Sequence, residues 1–273
     1  MINTEKRNPN TMHLDQMSAL EIVSVMNQEN ANSVSSLEPC YARIAEGIEA
    51  IAAAFSQGGR MISLGAGTSG WLAVLDASEC PPTFGVSCDQ VIGICAGGMS
   101  ALVRSSENKE DDPQEGIQEL MDRQLCGKDV VIGISASGGA AYVCKALDYA
   151  NSLGCSTICI SSNANSPLAQ IAHIAICPDT GPEVLTGSTR LKAGNAQKMI
   201  LNMLSTGAMV RSGYVYENLM INLKPTNIKL RDRVIRILRE ITDYDEVRAV
   251  DLLERSNWVI KDAIRLWKEE DTQ

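Results

Sequence analysis

Two loops rich in glycine and small hydroxyl residues are the parts of the sequence best suited to chemistry. The first is Gly65-Ala66-Gly67-Thr68-Ser69-Gly70 and the second is Ser135-Ala136-Ser137-Gly138-Gly139; each follows a short apolar run and precedes a helical pattern. Glycine lets backbone N–H groups approach an anion, a helix N-terminus favours negative charge, and hydroxyl groups add donors. One such loop alone is more typical of a tight capped turn. Two of them predict a site for a phosphorylated small molecule.

The phosphate contacts are assigned to the small residues of these loops, which are Gly67, Thr68, Ser69, Ser135, Ser137 and Gly138. The first loop also has the form GxGxxG, which is typical of dinucleotide sites. Such a site requires an acidic residue about 20 positions further on, at the end of the next strand. The next predicted strand ends in Ala96-Gly97-Gly98 instead, so a dinucleotide is disfavoured.

Two carboxylates, Glu79 and Glu110, lie in segments that could supply acid–base chemistry. Glu79 belongs to Asp76–Thr83, in which Pro81-Pro82 predicts the end of a helix. Glu110 belongs to the acidic run Ser105–Pro113, which is equally typical of a solvated helix N-terminus. A pair of carboxylates can divide the roles of general acid and general base.

Five short apolar runs, separated by helix-length segments, predict the strands that position the loops. They are Arg60–Gly65, Val91–Cys95, Val130–Ile134, Thr157–Ile160 and Ile174–Cys177. Continuous apolar runs are typical of parallel strands that are buried on both faces. The sequence therefore predicts an α/β fold with a doubly wound five-stranded parallel sheet. In the strand order 2-1-3-4-5, the loops after strands one and three meet at the switch point where ligands bind.

Helical patterns flank the predicted sheet and divide the chain into three parts. Residues 1–58 form an N-terminal helical segment, residues 59–224 the phosphate-binding α/β domain, and residues 225–273 a small three-helix domain. In the N-terminal segment, Ser18 and Glu21 have the spacing of a capping box. A long helix over about Leu191–Arg211 has apolar or small residues on most faces, more than one sheet face can cover, which predicts a homodimer.

Composition excludes several classes of protein. The 273 residues carry a net charge of −9, which disfavours nucleic acid as a partner. No apolar stretch of about 18 residues occurs, so no membrane span is expected. The N-terminus has no apolar core of a signal peptide, so we expect a cytoplasmic protein. Nine cysteines without a CxxC pair, and only two histidines, predict reduced thiols and no metal centre.

Seven segments of the chain also match the pattern of one family. They are Thr4–Asn8, Gly65–Gly70, Asp76–Thr83, Ala96–Gly98, Glu107–Asp111, Gly181–Gly194 and Asn202–Met209. Together they resemble the N-acetylmuramic acid 6-phosphate etherases, over nearly the whole chain. The resemblance implies the sugar isomerase (SIS) fold, a small helical C-terminal domain, a homodimer with residues of both chains near each site, and no cofactor.

The same resemblance implies a reaction and roles for individual residues. Etherases of this family cleave the D-lactyl ether of N-acetylmuramic acid 6-phosphate, a cell-wall amino sugar, to N-acetylglucosamine 6-phosphate and D-lactate. Glu79 matches the family's proton donor and Glu110 its second catalytic carboxylate. Ser188 and Lys192, in the long Gly181–Gly194 segment, are expected to bind the substrate. The expected partner is therefore a phosphorylated amino sugar.

The sequence departs from the family pattern in three segments, which are the residue after Gly65–Gly70, the residue after Ala96–Gly98 and the loop after strand three, where Gly139-Ala140-Ala141 replaces Arg-Thr-Pro. Trp71 and Gly139 stand where arginines are usual, and Met99 stands where a polar residue is usual. The lost arginines matter because a guanidinium makes forked, charged hydrogen bonds to an anion. They leave open a second interpretation, a non-catalytic sugar-phosphate-binding regulator that resembles glucokinase regulatory protein. The retention of Glu79 and Glu110 favours the etherase.

Overall fold

The centre of the molecule is a five-stranded parallel sheet. The computed structural model describes residues 2–104, 109–223, 225 and 228–271. The strands are β1 (Met61–Gly65), β2 (Val91–Cys95), β3 (Val130–Ile134), β4 (Ser156–Ile160) and β5 (Ile174–Ile176). Their order is β2-β1-β3-β4-β5. The predicted sheet and its order are confirmed, with strand ends that differ by one residue at most.

Helices cover both faces of this sheet. They are α1 (Ala19–Ser35), α2 (Tyr41–Ser56), α3 (Gly67–Phe84), α4 (Gly98–Ala101), α5 (Pro113–Asp122), α6 (Ala141–Ser152), α7 (Pro167–Ile171) and α8 (Lys192–Arg211). Successive strand residues alternate between two apolar cores, so that Met61 packs with α2, α3 and α8 whereas Ile62 packs with α5, α6 and α7. None of the described helices is long and apolar enough to span a membrane.

The sequence predicts that the helix after β1 ends at Pro81-Pro82, and this prediction is wrong. α3 continues to Phe84, and Gly85 then forms a left-handed cap whose N–H donates to the Pro81 carbonyl at 2.9 Å. The prolines remove two N–H donors from the helical ladder. Because they lie in the last two turns, and because Cys80 and Phe84 are buried in the core, the segment remains helical.

The C-terminal part has its own apolar core. It contains β6 (Val215–Tyr216), β7 (Leu219–Met220), α9 (Ile228–Thr242), α10 (Glu246–Arg255) and α11 (Ile260–Asp271). This core also includes Ile221 and Leu223, which precede the boundary predicted after residue 224. We therefore propose that the C-terminal unit begins at β6.

The long helix α8 is enclosed by helices of its own chain. It packs against α1, α2 and α3, and Ala196, Ile200 and Leu204 are fully buried there. The apolar faces that predict a homodimer are thus largely covered within one chain. The homodimer stays a prediction, and its interface must be sought on other surfaces.

A glycine substitution tests the junction between α3 and the C-terminal unit. At Gly85, φ is +66° and an added Cβ would lie 1.9 Å from the Asn222 carbonyl oxygen. At Gly58, φ is +75° and nothing lies within 4 Å of such a Cβ. We expect Gly58→Ala to lower the free energy of unfolding by about 1–2 kcal/mol, and Gly85→Ala by about 1–3 kcal/mol more. Urea unfolding of both variants measures this, and equal losses would contradict the close packing at Gly85.

Candidate active site

A cavity of about 300 Å³ lies at the carboxyl ends of β1 and β3. Its lining consists of Glu5, Ala66, Gly67, Thr68, Ser69, Glu110, Ile134, Ser135, Ala136, Ser137, Ala140 and Thr189. The fold therefore brings the two glycine and hydroxyl loops together with one of the two expected catalytic carboxylates, at the switch point of the strand order.

The N-terminus of α3 forms one wall of the cavity. Ala66 precedes the helix with an extended backbone, and no side chain caps the first turn. Ser69 is buried, and its hydroxyl donates to Gln197 Oε1 of α8 at 3.1 Å. The backbone N–H groups of this turn are thus not taken by a capping side chain, which is what an anion site at a helix N-terminus requires.

The loop between β3 and α6 forms a second wall. The Ser135 hydroxyl accepts the Gly138 N–H at 3.1 Å, and the Ser137 hydroxyl accepts the Gly139 N–H at 3.2 Å. α6 begins after Ala140, which again provides no side-chain cap. Gly138 itself lies outside the lining, and with φ of +71° an added Cβ would lie 2.2 Å from Ser166 Oγ. Its place in the fold is to form the turn that presents the two serines.

Glu110 enters the cavity from the segment that precedes α5. Its carbonyl oxygen accepts the Tyr142 N–H of α6 at 3.0 Å. The neighbouring Lys109 pairs with Glu115 at 2.9 Å, and Glu115 also accepts the Gly97 N–H at 2.9 Å. These contacts hold the segment between the two walls. Residues 105–108, which include part of the predicted acidic run, lie outside the described residues.

Glu79 does not line this cavity. It is exposed on α3, eleven residues beyond Thr68, which is roughly 16 Å along the helix axis. Ser188 is half-buried beside the cavity, and the next residue, Thr189, lines it instead. Within one chain, the structure therefore brings together Glu110 and the loop hydroxyls but not the two expected catalytic glutamates.

Lys192 is also absent from the lining, because its side chain is used elsewhere. Only 1% of it is exposed, and its Nζ donates to Glu29 Oε2 of α1 at 2.6 Å. The same carboxylate oxygen accepts Asn8 Nδ2 at 2.9 Å. At the start of α8, the Glu183 carboxylate accepts the N–H groups of Lys192 and Ala193 at 2.9 and 3.0 Å. This buried network joins the N-terminal segment, α1, the 179–191 loop and α8.

The pKa shifts in the network have distinct causes. Burial raises the pKa of Glu29, but hydrogen bonds from Lys192, Asn10 and Asn8 outweigh it and hold the pKa below its usual value. Burial also raises the pKa of Glu183, and there the two N–H donors only partly oppose it. The Lys192 ammonium therefore faces an ionised Glu29 and is a structural charge.

Two polar residues of the lining, Glu5 and Thr189, were not among the expected site residues. Both lie in segments that match the family pattern, Thr4–Asn8 and Gly181–Gly194, yet no spacing in the sequence relates them to the loops. The buried network brings the segments that carry these two residues together beside the cavity. Asn8 donates to the Pro182 carbonyl at 3.1 Å, and Thr11 donates to the Val184 carbonyl at 2.8 Å.

Comparison with known proteins places the chain in a family. Models of the "Glucokinase regulatory protein N-terminal SIS domain" and of the "SIS domain" match residues 43–151 and 114–207. An N-acetylmuramic acid 6-phosphate etherase of Serratia proteamaculans (strain 568) is 52% identical over 261 residues, which cover 96% of this chain and 88% of that protein. An etherase of the same name from Pasteurella multocida (strain Pm70) is 50% identical over 96% of this chain and 87% of that protein. The chain belongs to the N-acetylmuramic acid 6-phosphate etherase family.

Solved structures share the fold of this etherase-family chain. A phosphoheptose isomerase from Neisseria gonorrhoeae has a TM-score of 0.55 at 14% identity, covering 70% of this chain and 99% of that one. The sugar isomerase domain of a transcription factor from Sphaerobacter thermophilus has a TM-score of 0.51 at 19% identity, covering 82% and 98%. At these identities the likeness concerns the fold alone, and it agrees with the predicted SIS architecture.

The departures from the etherase pattern take different positions around the cavity. Trp71 lies outside the lining, and its indole N–H donates to the Ala101 carbonyl at 2.8 Å, which ties α3 to α4. Met99 is 80% exposed. A Cβ at Gly139 would lie 3.7 Å from Ser137 Oγ, so a side chain there would begin beside the cavity. The lining itself contains no lysine or arginine among the described residues.

The network predicts a large difference between two lysine substitutions in this etherase-family chain. Lys192→Met leaves the buried Glu29 carboxylate without its cation, and we expect the free energy of unfolding to fall by about 3–5 kcal/mol. The matched control is Lys145→Met, which removes an exposed pair with Asp148 and has little effect. Thermal and urea unfolding compare the two. A Lys192→Met protein with wild-type stability and weakened phosphate binding would instead favour the substrate-binding role implied by the resemblance.

Proposed function

We propose that the chain is a lyase that cleaves the D-lactyl ether of N-acetylmuramic acid 6-phosphate to N-acetylglucosamine 6-phosphate and D-lactate, in amino sugar catabolism or cell-wall recycling. The observation that carries the proposal is the cavity that combines two hydroxyl-rich helix N-termini with Glu110, in a chain about half identical to named etherases. Incubation with this substrate and an assay for released D-lactate test the proposal directly.

The phosphate is proposed to bind between the N-termini of α3 and α6. Thr68, Ser69, Ser135 and Ser137 provide hydroxyl groups there, and the first turns of both helices lack side-chain caps. Because the lining provides no cation, the negative charge is stabilised by N–H dipoles and hydroxyl donors rather than by a guanidinium. Binding at two helix ends also fixes the orientation of the sugar, and such positioning is a large part of catalysis.

Glu110 is proposed to act on the proton at C2 of the open-chain sugar. Ring opening exposes an aldehyde, which acidifies that proton. Glu110 removes it, and the electron pair forms a C2–C3 double bond as the bond between C3 and the lactyl oxygen breaks. A second acid protonates the leaving oxygen, and water then adds at C3 while a proton returns to C2. No described group pairs with the Glu110 carboxylate, which leaves it available for this transfer.

Glu79 is proposed to supply the acid from a second copy of the chain. It is exposed and lies far along α3 from its own cavity, so a partner is needed to bring it to a substrate. A homodimer accords with the exposed apolar side chains of α1, since Leu20, Val23 and Val34 are 76, 64 and 59% exposed. We propose a homodimer and a cytoplasmic location, the latter supported by nine free cysteines.

The non-catalytic alternative makes a different prediction for the same assay. A regulator would bind sugar phosphates without releasing lactate. The named relatives are etherases, and Trp71 makes a contact between α3 and α4 rather than closing the cavity. The alternative is therefore not favoured.

Substitution of Glu110 tests its role. We expect Glu110→Gln to lower turnover by at least about 100-fold, because general acid–base groups typically contribute that much. Inorganic phosphate should bind as it does to wild type. The matched control is Asp111→Asn, a neighbouring carboxylate outside the cavity, which should keep its activity. In D2O, wild type should place deuterium at C2 of the product; retained exchange and lactate release in Glu110→Gln would contradict the assignment.

Mixing two inactive variants tests whether Glu79 acts across a dimer. If it acts on the partner's substrate, a mixed dimer of Glu79→Gln and Glu110→Gln subunits contains one site with both glutamates and one with neither. Random mixing should then restore about a quarter of wild-type activity, since half the dimers are mixed and each has one intact site of two. If both glutamates serve the same chain's cavity, co-refolded mixtures stay inactive.

A further inference from the structure

We propose that Glu5 is a specificity-determining residue of the site, whose carboxylate accepts a hydrogen bond from a sugar hydroxyl of the bound ligand. The inference deepens the proposed function, because it rests on a phosphorylated sugar in this cavity. Neither the loop motifs nor the expected pair of catalytic glutamates includes this residue.

The first observation is an unpaired carboxylate in the cavity. Glu5 lines it together with Thr68, Ser137 and Glu110. The structure gives its side chain no hydrogen bond and no ion pair with any described residue. Its Oε2 lies beside the turn at Gly187, where an added Cβ would be 3.3 Å away. A carboxylate without a protein partner at the wall of a cavity is free to accept from a ligand.

The second observation is that the backbone around Glu5 is firmly held. Its N–H donates to the Ile2 carbonyl at 3.1 Å, and the adjacent Thr4 is 1% exposed. On one side, Asn3 donates to the Asp179 carboxylate at 2.8 Å. On the other, Asn8 bonds the Pro182 carbonyl and the buried Glu29. The backbone at Glu5 therefore loses little freedom on binding, and only its exposed side chain has to be ordered by the ligand.

The charge of Glu5 decides which part of the ligand it meets. An ionised carboxylate repels phosphate, and the phosphate is proposed to bind at the N-termini of α3 and α6. Glu5 and Glu110 come from different segments, one held against the 179–191 loop and the other against Tyr142 of α6. The uncharged hydroxyl groups of the sugar are donors that suit the Glu5 acceptor. This contact favours sugar phosphates over small anions that lack hydroxyl donors.

The test compares two ligands by calorimetry on the full chain. The probes are N-acetylglucosamine 6-phosphate and inorganic phosphate, and the variants are Glu5→Gln and Glu5→Ala. We expect Glu5→Ala to weaken sugar-phosphate binding by about 10- to 100-fold, the effect of one hydrogen bond to a charged group. Glu5→Gln should fall between it and wild type. Inorganic phosphate should bind the variants no more weakly than wild type. The control is Asp15→Asn, an exposed carboxylate of the same segment outside this cavity, which should change neither affinity.

Other outcomes overturn the inference. If the variants bind both ligands more weakly by the same factor, Glu5 only supports the structure of the cavity. If they bind both more tightly by the same factor, Glu5 acts only through its negative charge. Unchanged sugar-phosphate binding would mean that it contacts no hydroxyl. With the etherase substrate, Glu5→Gln should raise KM more than it lowers kcat, unlike Glu110→Gln. If wild type binds sugar phosphates but releases no lactate, the proposed function fails, and the comparison of the Glu5 variants still tests the inference. If wild type binds neither ligand, both the proposed function and the inference fail.

Discussion

One wall of the cavity, here called the outer wall, carries Glu5 and Thr189 and is formed by the N-terminal segment and the 179–191 loop. The ion pair between Lys192 and Glu29 is the contact on which this wall depends. Both side chains are almost removed from solvent; Asn8 donates to the Glu29 carboxylate, and the Glu183 carboxylate accepts the backbone N–H of Lys192. Removing two charges from water is unfavourable unless every remaining donor and acceptor is satisfied. The geometry that satisfies them is also the geometry that fixes the N-terminal segment against the 179–191 loop. The same contacts therefore stabilise the fold and position this wall of the cavity.

If the proposed phosphate site is correct, the ligand's charge is stabilised without a cation among the described residues of the cavity lining. Two walls of the cavity are formed by the N-termini of α3 and α6 and by serine and threonine hydroxyl groups. Ser69 is oriented from α8 through Gln197, and Ser135 and Ser137 are oriented by the N–H groups of their own loop. Oriented dipoles of this kind need no rearrangement when the ligand arrives. In the proposed phosphate site, arginines at positions 71 and 139 are therefore not required for these dipoles to face the ligand.

Local sequence patterns were enough to predict the sheet, but the contacts between residues far apart in the sequence could not be predicted from them. The five strands are continuous apolar runs, because parallel strands buried on both faces leave that trace in the sequence, and the capping box of Ser18 and Glu21 is likewise local. The end of α3 was predicted wrongly because burial of Phe84 outweighs the effect of Pro81-Pro82. The family resemblance implies that Lys192 binds the substrate, whereas the structure pairs its side chain with Glu29, which is 163 residues away in the sequence. Glu5 reaches the cavity only through contacts of that kind, which no spacing in the sequence encodes.

The separation in sequence between the two halves of the outer wall has a consequence for synthesis of the chain. Asn3, Asn8 and Thr11 bond to partners 176, 174 and 173 residues later. During translation, residues 3–11 leave the ribosome well before these partners, and their side chains stay unpaired until the 179–191 loop has followed. All five strands of the sheet are present once Ile176 has been added, whereas the wall that carries Glu5 and Thr189 also requires the 179–191 loop. A chain that ends before the 179–191 loop would therefore lack the partners of Asn3, Asn8 and Thr11, and its cavity would stay open on the side of Glu5 and Thr189.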